Sequence, residues 1–291
     1  MSPLDLVTLT PLMARTSGRP DIKIGLVDGP VALDHPALAQ AHLRELPAPG
    51  AGTCAQASSA ACLHGTFVAG ILCAAREAAA PAICPDCTLL VRPIFAEARA
   101  GSASMPSAAP EDLARAIRDC LQAGAHVLNL SVALMHTSPG GERDVVEALD
   151  QAARQGVLVV AAAGNQGTLR SSVITRHAGV IPVVAYERRG SPMGQSNLGG
   201  SLGRRGLGAP GDAITSLGAE GGGLTFGGTS VATPFVTGAL ALLWSAFPAA
   251  TATEIRWAST QASTSRRTTV VPPLLDAWAA YQTLVNLQAR R

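Results

Sequence analysis

The sequence predicts an α/β fold: a mainly parallel central sheet with helices on both faces. Strand-like and helix-like segments alternate along the chain. Several strands are continuous apolar runs, the pattern of strands buried on both faces. Asp28, Ser131 and Asn165 fall where such strands run out, which is where α/β folds build their sites.

Each element has a local reason. Asp21–Val27 alternates and runs into Asp28-Gly29, a strand ending in a turn. His64–Ala80 is alanine-rich and permits a helix headed by His64. Thr88–Val91 begins a second strand. Pro110 suits the first turn of a helix, Glu111 and Asp112 complement its N-terminal dipole, and Gly124 ends it. Leu113, Ile117 and Leu121 form its apolar stripe. His126–Ser131 is a strand, Glu142–Gln155 a helix closed by Gly156, and Val157–Ala162 an apolar strand. Val180–Val184 is a further strand. Ala48–Ala61 and Ala98–Pro110 read as surface loops, Glu187–Gly223 as glycine-rich and irregular, and Val270–Pro273 as a joint before a terminal helix. None is a boundary, so residues 1–291 are expected to form one domain, with a core over about 21–262 and a C-terminal helix over about 274–288.

The bulk composition fits a large buried core. Of the 291 residues, 47% are hydrophobic and 14% charged, against about 25% charged in average chains. The formal net charge is +2, which gives no electrostatic reason for a nucleic-acid or membrane-surface partner. No charged residue occurs between Glu220 and Glu254, yet Ser230, Thr233, Pro234, Thr237 and Ser245 interrupt the stretch, so a buried central helix is expected there instead of a membrane span. Met1–Asp5 lacks the basic start of a secretory signal, and a cytoplasmic location is expected. That argues against an obligatory disulfide framework for Cys54, Cys62, Cys73, Cys84, Cys87 and Cys120, although the even count leaves pairing open. Cys84-Pro-Asp-Cys87 has a redox or half-zinc spacing, with Cys54 and Cys62 the nearest further ligands; a surface turn with a local bridge or two free thiols is the simpler reading.

The chemistry concentrates in four places. Gly227-Gly228-Thr229-Ser230 opens the apolar helix, so Ser230 sits at its positive end with a backbone N–H aimed at whatever carbonyl it attacks. Taken alone, Ser230 reads as an N-cap, His64 as a structural histidine, and Asp28 and Asn165 as turn residues. Together they fill every role of acyl transfer. Ser230 is the nucleophile, His64 the general base and acid, and Asp28 the group that fixes the imidazole tautomer. Asn165 and the Ser230 N–H hold the oxyanion.

The motifs Val27-Asp-Gly29, His64-Gly-Thr66, Ala162-Ala-Gly-Asn165 and Gly228-Thr-Ser230 resemble, in order, the signatures of the subtilisin-like serine proteases. Asn129-Leu-Ser131 and Ala209-Pro-Gly211 also match family segments, and the resemblance spans roughly 21–262. It implies a three-layer subtilisin-like fold and peptide-bond hydrolysis. Asp28-Gly-Pro-Val31 with His35-Pro36, Arg92-Pro-Ile-Phe95 and Gln195-Ser-Asn197 further resemble the proteases that mature cyanobactins, patellamide-type ribosomal peptides. The expected function is a serine endopeptidase trimming a ribosomal precursor peptide. A peptide ligase or macrocyclase on the same fold, or a non-catalytic leader-peptide-binding module, are the alternatives. The macrocyclising relatives carry an extra helical insert near the site, whereas 36 positions separate Asp28 from His64 here, which favours hydrolysis.

The resemblance places a substrate wall at Ser131, Val132, Ala133 and at Ala162, Ala163, Gly164, all small and uncharged. Gly29 stands where many relatives have Ser or Thr, Phe67 where His is usual, and Ala133 in a segment that normally contains Gly. Gln166–His177 departs from the cyanobactin pattern. No cofactor is required for the chemistry. The resemblance implies structural calcium, but no acidic cluster has a ligand-loop spacing.

Overall fold

The computed structural model describes residues 2–97, 108–132, 139–261 and 269–290. Two short helices open the chain, α1 (Pro3–Leu6) and α2 (Leu9–Met13). The order then runs β1 (Lys23–Asp28), β2 (His42–Glu45), α3 (Ala60–Cys73), β3 (Thr88–Pro93), α4 (Pro110–Gln122), β4 (Val127–Leu130), α5 (Pro139–Arg154) and β5 (Leu158–Ala162). It continues with α6 (Val173–Arg176), β6 (Val180–Tyr186), α7 (Gly200–Arg205), β7 (Leu207–Pro210), β8 (Ile214–Leu217), β9 (Gly223–Phe226), α8 (Thr229–Ala246), α9 (Ala252–Thr260) and α10 (Ala277–Gln288).

Seven strands form one sheet in the order β2-β3-β1-β4-β5-β6-β7, and every neighbouring pair is parallel. Strand order departs in both directions from β1, so the crevice of the sheet opens at the carboxyl ends of β1 and its neighbours. Alternate residues of each strand feed opposite faces. Ile24 and Leu26 join Phe67, Ile71 and the α8 residues Phe235, Leu240 and Leu243 on one side. Val27, Leu128 and Leu130 join Leu113, Ile117, Val145 and Leu149 of α4 and α5 on the other. The result is the three-layer α/β architecture. β8 and β9 form a separate antiparallel pair that leads directly into α8.

Helix α8 is long and apolar enough to cross a membrane by composition, but 89% of it is buried inside the fold. It packs against β4, β5, β6 and β7 and is the central core helix expected from the sequence.

Several local expectations shift. α3 begins at Ala60, capped by the Ser59 hydroxyl, which accepts from the Cys62 N–H. His64 therefore lies inside the first turns, and the helix ends at Cys73 well short of Ala80, where Ala74 turns extended. The stretch 187–223 is not irregular throughout, since it holds α7, β7 and β8. Three of the four β2 residues, His42, Arg44 and Glu45, are polar and exposed, so no apolar pattern announces it. Residues 98–107 of the expected second loop lie outside the described residues.

Candidate active site

Asp28 is the last residue of β1 and is wholly buried. Its Oδ1 accepts from the Gly29 N–H at 2.6 Å and from His64 Nδ1 at 2.6 Å. Oδ2 has no hydrogen-bond partner among the described residues. Two glycines make this approach geometrically feasible. A Cβ on Gly29 would stand 1.9 Å from the Ala61 carbonyl oxygen, and a Cβ on Gly65 would stand 2.4 Å from the carbonyl oxygens of Gly29 and Pro30. Thr66 completes the clasp, its hydroxyl accepting from the Ala32 N–H at 2.9 Å. The His64-Gly-Thr66 motif is thus the surface on which α3 meets the end of β1.

His64 is buried, and its Nε2 lies 3.0 Å from Ser230 Oγ. The Asp28 carboxylate only accepts, so the neutral ring carries its proton on Nδ1 and offers the Nε2 lone pair to the Ser230 hydroxyl. Burial opposes a charge on the imidazole. The negative charge of Asp28 and its hydrogen bond outweigh that, and the pKa is raised above the ordinary value of 6.5. The Phe226 ring stacks beside the imidazole with centroids 6.5 Å apart, and Phe67 packs on Phe226 at 4.8 Å. Phe67 thus extends an apolar wall behind the histidine.

Ser230 sits in the first turn of α8. The chain enters through Gly228 at φ +122°, a conformation side chains rarely adopt. The Thr229 N–H donates to Asn165 Oδ1 at 2.9 Å, and the Gly164 N–H donates to the Thr229 hydroxyl at 3.1 Å. Asn165 is thereby tied by its oxygen to the turn that carries Ser230, while its Nδ2 has no hydrogen-bond partner among the described residues.

Ser131 and Val132 follow β4 directly, and Ala162, the last residue of β5, leads into Ala163 and Gly164. β4 and β5 are adjacent, so the two expected wall segments emerge side by side. Both are small and buried apart from Ala133, which lies outside the described residues.

Two further residues of the site carry no role that the sequence alone announces. Thr229 is one; its hydroxyl links α8 to Gly164. Asn197 is the other. Its Oδ1 accepts from the N–H groups of Gln166 and Thr168 and from the Thr168 hydroxyl, each at 3.1 Å. Its Nδ2 donates to the Ala163 carbonyl at 3.1 Å and to Gln166 Oε1 at 2.6 Å. One buried amide therefore holds both sides of the loop that presents Asn165. The Gln195-Ser-Asn197 motif was the available signal, but its partners are distant in sequence.

Cys54 and Cys62 are joined by a disulfide, and Cys73, Cys84, Cys87 and Cys120 are free and buried. The local bridge thus falls at Cys54–Cys62 and not in the Cys84–Cys87 turn. Burial pushes the thiols of Cys73 and Cys120 up to about 12. The Cys84 and Cys87 thiols act on one another, which raises Cys84 and lowers Cys87. Among the described residues, no group of three or more His, Cys, Asp or Glu side chains could hold a metal ion, so neither zinc nor calcium has such a cluster there.

Comparison with known proteins bears on the family and the fold. Residues 19–275 match the model of the subtilase family. The thermostable alkaline protease of Halalkalibacterium halodurans is 30% identical over 202 residues, which cover 69% of this chain and 52% of that protein. The chain spans about half the length of the curated relatives it matches first. Among solved structures, the protease domain of PatA superposes with a TM-score of 0.81 at 30% identity, covering 92% of this chain and 97% of that one. The prenylagaramide maturation protease PagA gives 0.81 at 27% identity, covering 95% and 98%.

Proposed function

This chain belongs to the subtilase family, and from that premise we propose that it is a serine endopeptidase acting through Ser230 on a ribosomal precursor peptide. The observation that carries the proposal is the hydrogen-bonded line from Asp28 Oδ1 through His64 to Ser230 Oγ, with links of 2.6 and 3.0 Å.

Ser230 Oγ attacks the scissile carbonyl while its proton passes to His64 Nε2. Asp28 holds the Nδ1–H and stabilises the imidazolium that forms. The oxyanion is assigned to Asn165 Nδ2 and the Ser230 N–H, at the positive end of α8. The carbon–nitrogen bond then breaks as His64 returns the proton to the leaving amine. Water, deprotonated by the same imidazole, releases the acyl group.

The precursor-peptide assignment is supported by the likeness to the PagA maturation protease and the PatA protease domain. The small wall of Ser131, Val132, Ala133, Ala162, Ala163 and Gly164 would admit substrate without selecting a charged side chain. Hydrolysis is favoured over cyclisation because, between Asp28 and α3, the chain forms only β2 and the single 3-10 turn Pro36–Leu38. A cytoplasmic site of action would suit the four free thiols, whereas the Cys54–Cys62 bridge speaks for an oxidising one.

A fluorophosphonate should label the wild type and leave Ser230→Ala unlabelled; equal labelling would remove Ser230 from its role. Product mass separates the reactions, since hydrolysis adds a water and ligation does not. Peptide binding with no turnover would instead favour a binding module. Asn165→Ala should lower kcat by about 10²-fold or more with little change in KM.

A further inference from the structure

Helix α8 contains a proline, Pro234, four residues after Ser230. In an α-helix the N–H of residue i bonds the carbonyl of residue i−4. Pro234 has no N–H, so the Ser230 carbonyl loses its normal helical donor. The structure supplies a replacement from another element. Ser131 Oγ, just past β4, donates to the Ser230 carbonyl oxygen at 3.1 Å. The hydroxyl can do so because its acceptor side is already engaged: Asn129 Nδ2 donates to Ser131 Oγ at 2.8 Å. Asn129 is itself oriented from α8, where the Thr237 hydroxyl donates to its Oδ1 at 2.8 Å. Asn129 and Thr237 are wholly buried, and Thr237 lies two turns along from Ser230 on the same helix face.

We infer that Thr237, Asn129 and Ser131 form a directional relay that fixes the nucleophile's peptide by replacing the donor that Pro234 removes. These are positioning residues acting through Ser230, and the inference rests on Ser230 being the nucleophile. The relay starts and ends on α8 but passes through the end of β4. It therefore ties the position of Ser230 to the segment assigned to the substrate wall. Buried chains of this kind hold one geometry when every member is satisfied, as each is here. A small displacement of a nucleophile lowers the rate steeply, so the cost of cutting the relay belongs in kcat.

Pro234→Ala makes this testable, because alanine restores an N–H opposite the Ser230 carbonyl. The full chain should be compared as wild type, Ser131→Ala, Pro234→Ala and the double variant, reading kcat and KM on a peptide substrate and the rate of fluorophosphonate labelling. Ser131→Ala, which also alters the substrate wall, should lower kcat and labelling by about tenfold, and Thr237→Val, remote from that wall, should lower kcat with KM changed by no more than about twofold. In the Pro234→Ala background Ser131→Ala should cost no more than about threefold. An equal loss in both backgrounds, or a change in KM alone, overturns the relay. Thr237→Val cuts the far end without touching the nucleophile's neighbours, and it should show the same coupling to Pro234→Ala even if Ser131→Ala does not fold. Ser230→Ala is read separately: labelling that survives it rejects the nucleophile assignment, whereas additive losses with Ser230 still essential reject only the relay.

Discussion

The carbonyl oxygen of Gly29 occupies the space a side chain at Gly65 would need, 2.4 Å from where its Cβ would be. The neighbours on both sides are backbone, which cannot swing away. Gly65→Ala should therefore push α3 off the end of β1 and lengthen the link between His64 and Asp28. The expected result is a stability loss of about 1–3 kcal/mol and a kcat lower by about 10²-fold. Thermal unfolding and steady-state kinetics on one preparation check both. Wild-type kcat in this variant would show that the glycine contact does not set the histidine.

Activity should rise with pH through a pKa above 6.5, because only neutral His64 can take the Ser230 proton and Asp28 holds that pKa up. Stability should move the opposite way. A histidine whose folded pKa is raised stabilises the fold below its unfolded pKa, and that contribution is lost as pH climbs through the folded value. Asp28→Ala leaves burial as the dominant influence, so the acid limb of kcat/KM should shift to lower pH while kcat falls by about 10⁴-fold. A limb that stays in place in the variant would mean another group titrates.

Asn197→Ala removes five hydrogen bonds from the loop that presents Asn165. It leaves the Gln166 and Thr168 N–H groups in search of partners. A stability loss of about 2–4 kcal/mol is expected, with kcat falling more than KM rises. Amide exchange over 163–168 should quicken selectively; protection equal to wild type would contradict the brace.

Native, unreduced protein should show no fast-reacting thiol towards Ellman's reagent, and four after denaturation, matching the free Cys73, Cys84, Cys87 and Cys120. Reduction should release two more from Cys54 and Cys62 and lower stability by about 2–3 kcal/mol. Six thiols without reductant would remove the bridge.

Much of this was legible because it is local. Continuous apolar runs such as Val157–Ala162 can only be strands or buried helix, and their alternation with helices sets the sheet. Ser230, His64, Asp28 and Asn165 could be picked out because each sits in a short glycine-bearing motif whose spacing reflects backbone packing. What stayed hidden depends on space. Asn197 braces residues about 30 positions away, and the Ser131 hydroxyl reaches one 99 positions away. β2 shows no apolar pattern because it is an exposed edge strand. The start of α3 does not show in the sequence because its cap, Ser59, lies in a run of small residues that looks like loop.

Residues 28, 64 and 230 come from the first strand, an early helix and the last long core helix, with most of a parallel sheet between them. Parallel sheets must close long loops before their contacts repay the entropy, so such chains fold slowly. No short fragment of this chain contains a working set. While it is being made or is refolding, an unfinished copy should be proteolytically silent. Under the proposed mechanism, turnover in a refolding mixture should appear only once α8 has docked against β4, β5, β6 and β7.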